Sequence, residues 1–340
     1  MEKVNWGIIG LGNIARKFSE AFEETENSNL LAVASKNKDK INFFKEKHQL
    51  ENKFLFNDYN DLINCKEVDI IYIALPNFLH HKWASKCIEG NKHVLLEKPA
   101  TLNLQEAKDL KKKIEVKDLF FGEAFMYRHY PQINSVINLI KDNKIGNLLS
   151  MQSNFGIDIF TQRKFFFFKR KKKIDKNSRH LNKDFGGGCI LDLGCYLSSF
   201  SLLIGSLAGS TNFELTNVVK EVGETNVDID SSAEIIFKSG FRSRIYSSFK
   251  KKLGSKSIII GEKGTININN TWMHKNNNII KVKSDKNYSI KFKKSKNIYS
   301  YQIEAISKNL LNKIYKPTFP AMSMSETLQN MEIIDLWLNS

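Results

Sequence analysis

Two different α/β domains are predicted by three observations: the length of the chain, a repeating strand and helix pattern in its first half, and paired strands in its second half. At 340 residues the chain exceeds what one hydrophobic core commonly supports. The alternating first half predicts a parallel, doubly wound sheet, and the second half predicts antiparallel strands. We place the first domain at 1–122 and the second at 123–340, and a C-terminal helix at 325–339 could return to the first domain.

The composition excludes several classes of protein. The formal net charge is +16, but the excess lysines are scattered rather than gathered in one stripe, so we expect no nucleic-acid partner. The four cysteines form no C-x-x-C pair and have no histidines at metal spacing, so neither a metal site nor a disulfide framework is expected. Reduced thiols and a first strand close to Met1, which leaves no room for a signal peptide, favour the cytoplasm.

Two further segments have open or competing interpretations. The 21 uncharged residues from Leu193 to Phe213 could span a membrane, but 10 of them are Ser, Gly, Thr or Asn, so we expect a buried helix and no membrane partner. The densest basic run, RKFFFFKRKKKIDK at 163–176, is either a solvated loop with an apolar anchor or an electrostatic funnel for an anionic substrate.

A glycine turn at the start of the chain predicts a dinucleotide site. In VNWGIIGLGNIARKFSEAF, a short apolar strand precedes the turn and an amphipathic helix follows it. Gly10, Gly12 and Ala15 occupy the three small positions of G-x-G-x-x-G/A: one for the tight turn, one for the approach of a pyrophosphate, and one for close packing of helix and strand. The phosphates would lie at the helix N-terminus, where free N–H groups favour anions.

The following strands extend this parallel sheet. LLAVAS, VDIIYIALP and KHVLLEKP are apolar strands, with helices expected near 40–48, 80–90 and 103–115. The second strand ends in Ser35 and Lys36, with Lys40 nearby, where an NAD site commonly has a carboxylate. A hydroxyl and a cation suit a 2′-phosphate, so we expect NADP, with NAD possible if Lys36 is only a surface lysine.

Two groups of residues could take part in proton transfer. Glu97, Lys98 and Pro99 end a parallel strand, the edge where ligands bind in open α/β sheets. In GGGCILDLGCY, Asp192 and Tyr196 stand four residues apart, which places them on one face of a helix. Each pattern alone has a structural explanation, a strand end and a capped core helix respectively.

The combined motifs resemble one enzyme family over essentially the whole chain. GIIGLGNIA, YIALPNFLHHKWASKCIEGNKHVLLEKP, EAFMYRHYPQ, GGGCILDLGCY, GTININNTW, YSYQIEAISKNLL and ETLQNMEIIDLWL stand in the order and spacing of the glucose-fructose oxidoreductase, inositol dehydrogenase and MocA (Gfo/Idh/MocA) family. The sequence is most similar to the branch with dimeric dihydrodiol dehydrogenase, NADP-dependent xylose dehydrogenase and nucleotide-sugar 3-ketoreductases. Within that family, Tyr at position 196 resembles this branch more than the inositol dehydrogenases.

The resemblance implies a Rossmann domain, a second α/β domain with a large, mostly antiparallel open sheet, and a substrate cleft between them. It implies a cis peptide at Lys98–Pro99, and a homo-oligomer, dimer or tetramer, formed through that sheet. The implied catalytic residues are Lys98, Asp192 and Tyr196: Tyr196 as proton donor and acceptor, Lys98 as the cation that lowers its pKa, and Asp192 as the group that positions substrate and Lys98. The expected cofactor contacts are Gly10, Gly12, Asn13, Ile14, Ala15, Ser35, Lys36, Lys40, Leu75, Pro76, Asn77, His80, Glu97 and Lys98.

Four residues are candidates for substrate contact, namely Tyr127, Arg128, His129 and Arg179. The first three could equally form a hydrogen-bond cluster at a domain junction. The expected activity is NADP-dependent hydride transfer at a secondary hydroxyl or ketone of a sugar, cyclic polyol or trans-diol. Two alternatives remain: a nucleotide-sugar ketoreductase or dehydrogenase in surface-polysaccharide or deoxysugar biosynthesis, and a non-catalytic NADP-sensing or structural protein.

Overall fold

The computed structural model describes residues 2–164, 168–171, 178–273, 275–293 and 295–340. The chain divides into two compact units, one of residues 1–130 with 295–328 and the other of residues 131–294 with 329–340. The first unit contains a parallel sheet and the second a mixed, mostly antiparallel sheet. The predicted fold class is therefore confirmed.

The first unit is built on six parallel strands in the order β3-β2-β1-β4-β5-β6. β4 and β5 are almost wholly buried and read as continuous apolar runs, because helices cover both faces of the sheet. The strands are β1 Val4–Ile9, β2 Ser28–Ala34, β3 Leu55–Phe56, β4 Ile70–Ile73, β5 His93–Leu96 and β6 Phe121–Glu123. The helices between them are α1 Asn13–Ser19, α2 Lys38–His48, α3 Tyr59–Asn64, α4 His80–Glu89 and α5 Leu104–Lys117.

A segment from the end of the chain also belongs to the first unit. Residues 295–328 include α8 Ile298–Leu311 and the start of the last helix, α9 Met324–Asn339. Trp6 Nε1 donates a hydrogen bond to Ser307 Oγ at 3.0 Å, and Ser300 Oγ donates to the carbonyl of Ala21 at 3.1 Å. These buried contacts connect residues 295–328 to the first unit.

The second unit is built on eight strands in the order β10-β11-β12-β7-β13-β14-β15-β16. Only the β7–β12 pair is parallel; the other neighbours are antiparallel. The strands are β7 Leu148–Gly156, β10 Phe213–Val222, β11 Asp228–Phe237, β12 Arg242–Ser248, β13 Gly254–Gly261, β14 Gly264–Ile268, β15 Asn278–Lys283 and β16 Tyr288–Phe292. The helices of this unit are α6 Pro131–Lys141, α7 Cys195–Leu207 and the C-terminal part of α9.

The two faces of this sheet have different environments. Ser201 Oγ in α7 lies 2.7 Å from Ser243 Oγ in β12, and Trp337 Nε1 in α9 donates to Ser231 Oγ in β11 at 2.8 Å. A groove of about 780 Å³ on the sheet is lined mainly by polar side chains, including Glu234 and Arg244, and also by Ser231. The apolar core of the unit includes Ile235, Phe237 and Ile245 of the same strands.

The candidate membrane span is a core segment. Lys183–Leu207 is long and apolar enough to cross a bilayer, but 83% of its most apolar stretch is buried inside the protein. Every residue of α7 from Cys195 to Gly205 is buried, which is typical of a central helix.

The basic run at 163–176 lies partly outside the described residues. The backbone forms two short strands, β8 Thr161–Lys164 and β9 Phe168–Lys171, which pair antiparallel. The predicted loop thus contains part of a hairpin, whereas residues 165–167 and 172–177 are not among those described.

Candidate active site

The glycine turn has the backbone that the motif requires. Gly10 has a φ of +88°, and a Cβ there would lie 2.7 Å from the carbonyl oxygen of Ala74. Gly12 is the N-cap of α1, no side chain caps it, and a Cβ there would meet nothing within 4 Å. Open space in front of uncapped N–H groups suits an anion such as a pyrophosphate.

The end of β2 presents polar groups instead of a carboxylate. Ser35 is 6% exposed, and its Oγ accepts a hydrogen bond from the backbone N–H of Asn37 at 3.1 Å. The Asn37 side chain in turn accepts from Lys40 N at 3.0 Å and so caps α2. The side chain of Lys36 is exposed to solvent. Two hydrogen bonds therefore hold this turn, with Lys36 at the surface and Lys40 partly exposed.

His80 joins the ends of β4 and β5. Its Nδ1 lies 2.8 Å from the carbonyl oxygen of Pro99 and its Nε2 lies 2.9 Å from that of Leu75. The residue has no exposed surface, and burial lowers the pKa of His80 to about 4. A neutral ring has one N–H, so it donates to one of these two carbonyls at a time. Pro76 and Asn77, between β4 and His80, begin a short 3₁₀ turn.

Lys98 lies at the carboxyl end of β5, as predicted, in a partly buried position. The Lys98–Pro99 peptide is cis. The preceding Glu97 accepts a hydrogen bond from the Tyr72 hydroxyl, and its other oxygen lies 3.3 Å from Lys98 N. Hydrogen bonds to the Glu97 side chain therefore hold the Glu97–Pro99 segment at the end of β5.

A second buried carboxyl lies beside this strand end, on Glu123 at the end of β6. Its Oε1 accepts from Ala100 N at 2.9 Å, and its Oε2 accepts from Thr327 Oγ1 at 2.9 Å. Burial raises the pKa of Glu123 to about 7. The sequence pattern did not indicate a role for Glu123, because Glu is common at strand ends and its hydrogen-bond partners are visible only in the structure.

The MYRHY segment forms a buried cluster within the first unit. Arg128 has no exposed surface; its guanidinium contacts Glu326 Oε1 at 2.9 Å and donates to the carbonyl of Pro320 at 3.1 Å. Its Nε donates to the Tyr127 hydroxyl at 3.3 Å, and Tyr127 is 1% exposed. Burial lowers the pKa of His129 to about 4. These contacts favour the hydrogen-bond cluster over substrate contact.

In the second unit, Asp192 and Tyr196 stand on consecutive turns at the start of the apolar helix. Residues Ile190–Gly194 form a π-helical turn that continues directly into α7, whereas the sequence predicted a regular helix. Single π-turns within helices are frequent at functional sites. The Asp192 side chain is 17% exposed and Tyr196 is 8% exposed. The Tyr196 ring packs edge-on against Phe155 with centroids 5.6 Å apart.

His180 adds a residue to this group that the sequence analysis missed. Its Nδ1 lies 3.3 Å from Asp192 Oδ2, and its ring lies edge-on to Phe249 with centroids 5.7 Å apart. Twelve residues separate it from Asp192, so no helical spacing connects the two. The neighbouring Arg179, predicted to contact substrate, is exposed.

Among the three glycines before Asp192, Gly188 allows the backbone to lie close to the Asp228 side chain. Gly188 has a φ of +114°, and a Cβ there would lie 2.3 Å from Asp228 Oδ1. Asp228, which is 5% exposed, accepts from Ile190 N at 2.6 Å. Gly188 N donates to the carbonyl of His180 at 2.9 Å. Gly188 and Asp228 thus anchor both the π-turn and the loop that carries His180.

No group of three or more His, Cys, Asp or Glu side chains is arranged to hold a metal ion among the residues described by the structure. Cys65, Cys87, Cys189 and Cys195 are free thiols.

Two family models match successive parts of the chain. Residues 4–125 match the oxidoreductase family with an NAD-binding Rossmann fold, and residues 133–267 match the C-terminal domain of the GFO/IDH/MocA family. Together they cover most of both units.

Individual relatives are similar over about three quarters of the chain. Trans-1,2-dihydrobenzene-1,2-diol dehydrogenase of Xenopus tropicalis is 27% identical over 269 residues, which cover 77% of this chain and 74% of the relative. Oxidoreductase P35 of Formosa agariphila is 31% identical over 269 residues, 78% of each chain.

Solved structures share the fold over nearly the full length. KijD10, a 3-ketoreductase from Actinomadura kijaniata in complex with NADP and TDP-benzene, has a TM-score of 0.83 at 22% identity and covers 98% of this chain and 96% of its own. An aldose-aldose oxidoreductase from Caulobacter crescentus, complexed with glycerol, has a TM-score of 0.86 at 20% identity, with 99% and 97% covered.

Proposed function

Because the chain belongs to the Gfo/Idh/MocA oxidoreductase family, we propose that it is an NADP-dependent enzyme acting on a secondary hydroxyl or ketone of a sugar, cyclic polyol or trans-diol. The observation that carries this proposal is the presence of polar side chains at two positions that packing of the hydrophobic core does not require. One is Lys98 at the end of β5, and the other is the Asp192 and Tyr196 pair on the π-turn and α7. Each group alone has a structural explanation, and it is their presence together in one chain that favours a catalytic role.

The residues of the first unit fit a dinucleotide. The positive φ of Gly10 and the open space at Gly12 leave the α1 N-terminus accessible to phosphates, and Ala15 packs with no exposed surface. When bound, NADP would supply or accept the hydride. The chain itself has to hold the cofactor, orient the substrate oxygen and move one proton.

We assign Tyr196 as the group that donates a proton to, and accepts it from, the substrate oxygen. A phenol with an ordinary pKa of about 10 is a weak base at neutral pH, and an ammonium beside it would favour its phenolate; the family resemblance assigns that role to Lys98. Asp192 would accept a hydrogen bond from a substrate hydroxyl, and His180 would hold the Asp192 carboxylate in place. Substrate contact by Arg179 remains part of the proposal, whereas Tyr127, Arg128 and His129 are assigned a structural role.

The preference for NADP rests on the end of β2. Ser35 offers a hydroxyl, Lys36 and Lys40 offer cations, and no carboxylate stands where one would hold a ribose 2′-hydroxyl. Lys36 is exposed and can reach a bound phosphate, and the Asp58 carboxylate lies close enough to interact with its charge. The relative with bound NADP is consistent with this choice.

The proposed substrate class is drawn from the names of two kinds of relative. The dihydrodiol dehydrogenases act, by name, on a trans-diol, and a glucose-6-phosphate 3-dehydrogenase of Bacillus subtilis is 30% identical over 237 residues. A nucleotide-sugar ketoreductase is the second candidate, since the KijD10 structure contains TDP-benzene. We also propose a homo-oligomer through the eight-stranded sheet and a cytoplasmic location.

The test is a cofactor titration followed by a substrate panel. Fluorescence titration with NADPH and NADH measures cofactor affinity, and absorbance at the nicotinamide band follows turnover of free sugars, sugar phosphates, nucleotide sugars and trans-diols. Turnover of a free sugar or diol supports the leading proposal, and turnover of nucleotide sugars alone supports the second candidate. Cofactor binding without turnover of any panel member would contradict both and favour a sensor.

A further inference from the structure

Glu123 is a buried carboxyl that joins three segments of the first unit. It is 4% exposed at the end of β6. Each carboxylate oxygen has its own donor, Ala100 N and Thr327 Oγ1, both at 2.9 Å. A buried carboxyl whose two oxygens are both engaged by different segments fixes the distance between those segments.

The first of these segments carries Lys98. Leu96 of β5 pairs with Glu123 of β6, and Ala124 N donates to the carbonyl of Leu96 at 2.8 Å. Lys98 follows two residues after Leu96, and Ala100, the donor to Glu123, follows two residues after Lys98. The strand pairing before Lys98 and the carboxyl bond after it therefore hold this short segment at both ends. Pro99, Ala100 and Thr101 are all buried.

Glu123 and Lys98 also interact through their charges. Burial raises the pKa of Glu123 to about 7, whereas the Thr327 and Ala100 donors and then the charges of Arg128 and Lys98 favour its ionised form. The attraction is mutual, so the Glu123 carboxylate favours the ammonium form of Lys98. Above neutral pH the carboxyl is ionised and exerts this effect.

A small, mostly apolar cavity borders the carboxyl. Its volume of about 40 Å³ is enough for at least one water molecule, and its lining includes the side chains of Glu123, His129 and Gln302. Neither polar atom of the Gln302 side-chain amide has a hydrogen-bond partner within the part of the chain that the structure describes. Lys98 and Arg128 act on Glu123 through their charges, and His129 lines the same cavity.

We propose that Glu123 is the positioning residue of Lys98: its carboxylate holds the Lys98–Ala100 segment through the Ala100 amide and keeps the Lys98 side chain in its ammonium form. This inference rests on the proposed function, in which Lys98 is the catalytic cation. Glu123 itself touches neither substrate nor cofactor in this proposal.

Two complementary variants separate the two effects. Glu123→Gln keeps the side-chain length and the acceptor for Ala100 N but removes the charge. We expect the alkaline limb of the pH profile of kcat in the oxidative direction to move to lower pH, because Lys98 loses its ammonium form more easily. Glu123→Asp keeps the charge but draws the oxygen away from Ala100 N. We expect kcat to fall roughly 10- to 100-fold through misplacement of Lys98, with the alkaline limb unmoved.

Glu234→Gln in the second unit is the matched control. Glu234 is also a buried carboxylate, 5% exposed, and it pairs with Arg244 at 3.1 Å. This variant is expected to leave both kcat and the pH profile unchanged. Thermal unfolding confirms that each variant is folded at the assay temperature. A Glu123→Gln variant with an unchanged alkaline limb, or a Glu123→Asp variant with unchanged kcat, would overturn the inference.

Lys98→Ala distinguishes failure of this inference from failure of the proposed function. If Lys98→Ala abolishes turnover while both Glu123 variants behave as the parent, Lys98 is catalytic and Glu123 does not position it. If Lys98→Ala turns over normally, the catalytic assignment itself is wrong, and with it the role of Glu123.

Discussion

His180 Nδ1 lies 3.3 Å from Asp192 Oδ2, so an imidazole from a loop contacts the carboxylate that begins the proposed catalytic helix. The contact is supported from both sides: Gly188 N donates to the His180 carbonyl, and Asp228 accepts from Ile190 N. Loop and helix start are therefore fixed relative to each other before any substrate binds. Such support is what an active-site carboxylate needs in order to keep one orientation.

The first prediction concerns this pair. His180→Ala should lower kcat/KM roughly tenfold or more, because a hydrogen bond to a charged group contributes about 1.5–3 kcal/mol and a factor of ten corresponds to about 1.4 kcal/mol. His180→Asn, which can still donate, should recover part of the loss. Steady-state kinetics with Lys183→Ala as an exposed control on the same loop checks this, and equal activity in all three variants would remove His180 from the site.

The second prediction concerns the proton. Tyr196→Phe should reduce kcat by roughly 10²-fold or more, because the phenol is the proposed proton donor and acceptor, while the Kd for NADPH stays within about twofold. Tyr288→Phe is the matched control, since Tyr288 is 40% exposed on β16. Parent-like turnover of Tyr196→Phe would show that the ring serves only in packing against Phe155.

The third prediction concerns cofactor choice. Replacing Lys36 and Lys40 together by Ala should raise the Kd for NADPH about tenfold or more and leave the Kd for NADH nearly unchanged, because only NADPH carries the 2′-phosphate. A double Ala variant at Lys281 and Lys291 changes the net charge equally but lies in the second unit. If both double variants weaken NADPH binding to the same extent, the effect comes from net charge alone and not from a phosphate site.

The strand ends and the glycine turn could be predicted from sequence because local pattern determines them. Neighbouring residues are enough to indicate apolar strands such as β4 and β5 and the Lys that follows β5. They also indicate the turn at Gly10, where the structure has a positive φ. The Gfo/Idh/MocA membership followed from the order of such motifs.

The remaining features depend on contacts between distant parts of the chain. Glu123 receives one of its hydrogen bonds from Thr327, 204 positions later, and Trp6 donates to Ser307, 301 positions later. Such contacts leave no periodic signal, so the sequence could not assign residues 295–328 to the first unit or select Glu123. The π-turn at Ile190–Gly194 has no local sequence signal either, and its first residue donates a hydrogen bond to the distant Asp228 in β11.

The fourth prediction concerns the Arg128 and Glu326 pair. Arg128→Met should lower the free energy of unfolding by about 3–5 kcal/mol, because it leaves the partly buried Glu326 carboxylate without its cation. In folded protein, KM for the substrate should stay unchanged, since Arg128 is assigned a structural role. Chemical denaturation and kinetics on the same sample check both expectations. A raised KM with unchanged stability would instead support the substrate contact predicted from the sequence.

The fifth prediction concerns acid stability and His80. Burial lowers the pKa of His80 from an ordinary 6.5 to about 4, so between these values the unfolded chain binds a proton that the folded chain does not. The stabilising effect is therefore fully present above pH 6.5 and is lost as the pH falls towards 4, by roughly 3 kcal/mol at about 1.36 kcal/mol per pH unit. Urea denaturation of the parent and of His80→Gln at several pH values in this window measures it: the advantage of the parent should shrink as the pH falls. His81→Gln is the control, because the His81 ring lies at the helix surface, 2.8 Å from Asp109. A parent-to-variant difference that stays constant across this window would show that His80 does not titrate with the lowered pKa that its burial implies.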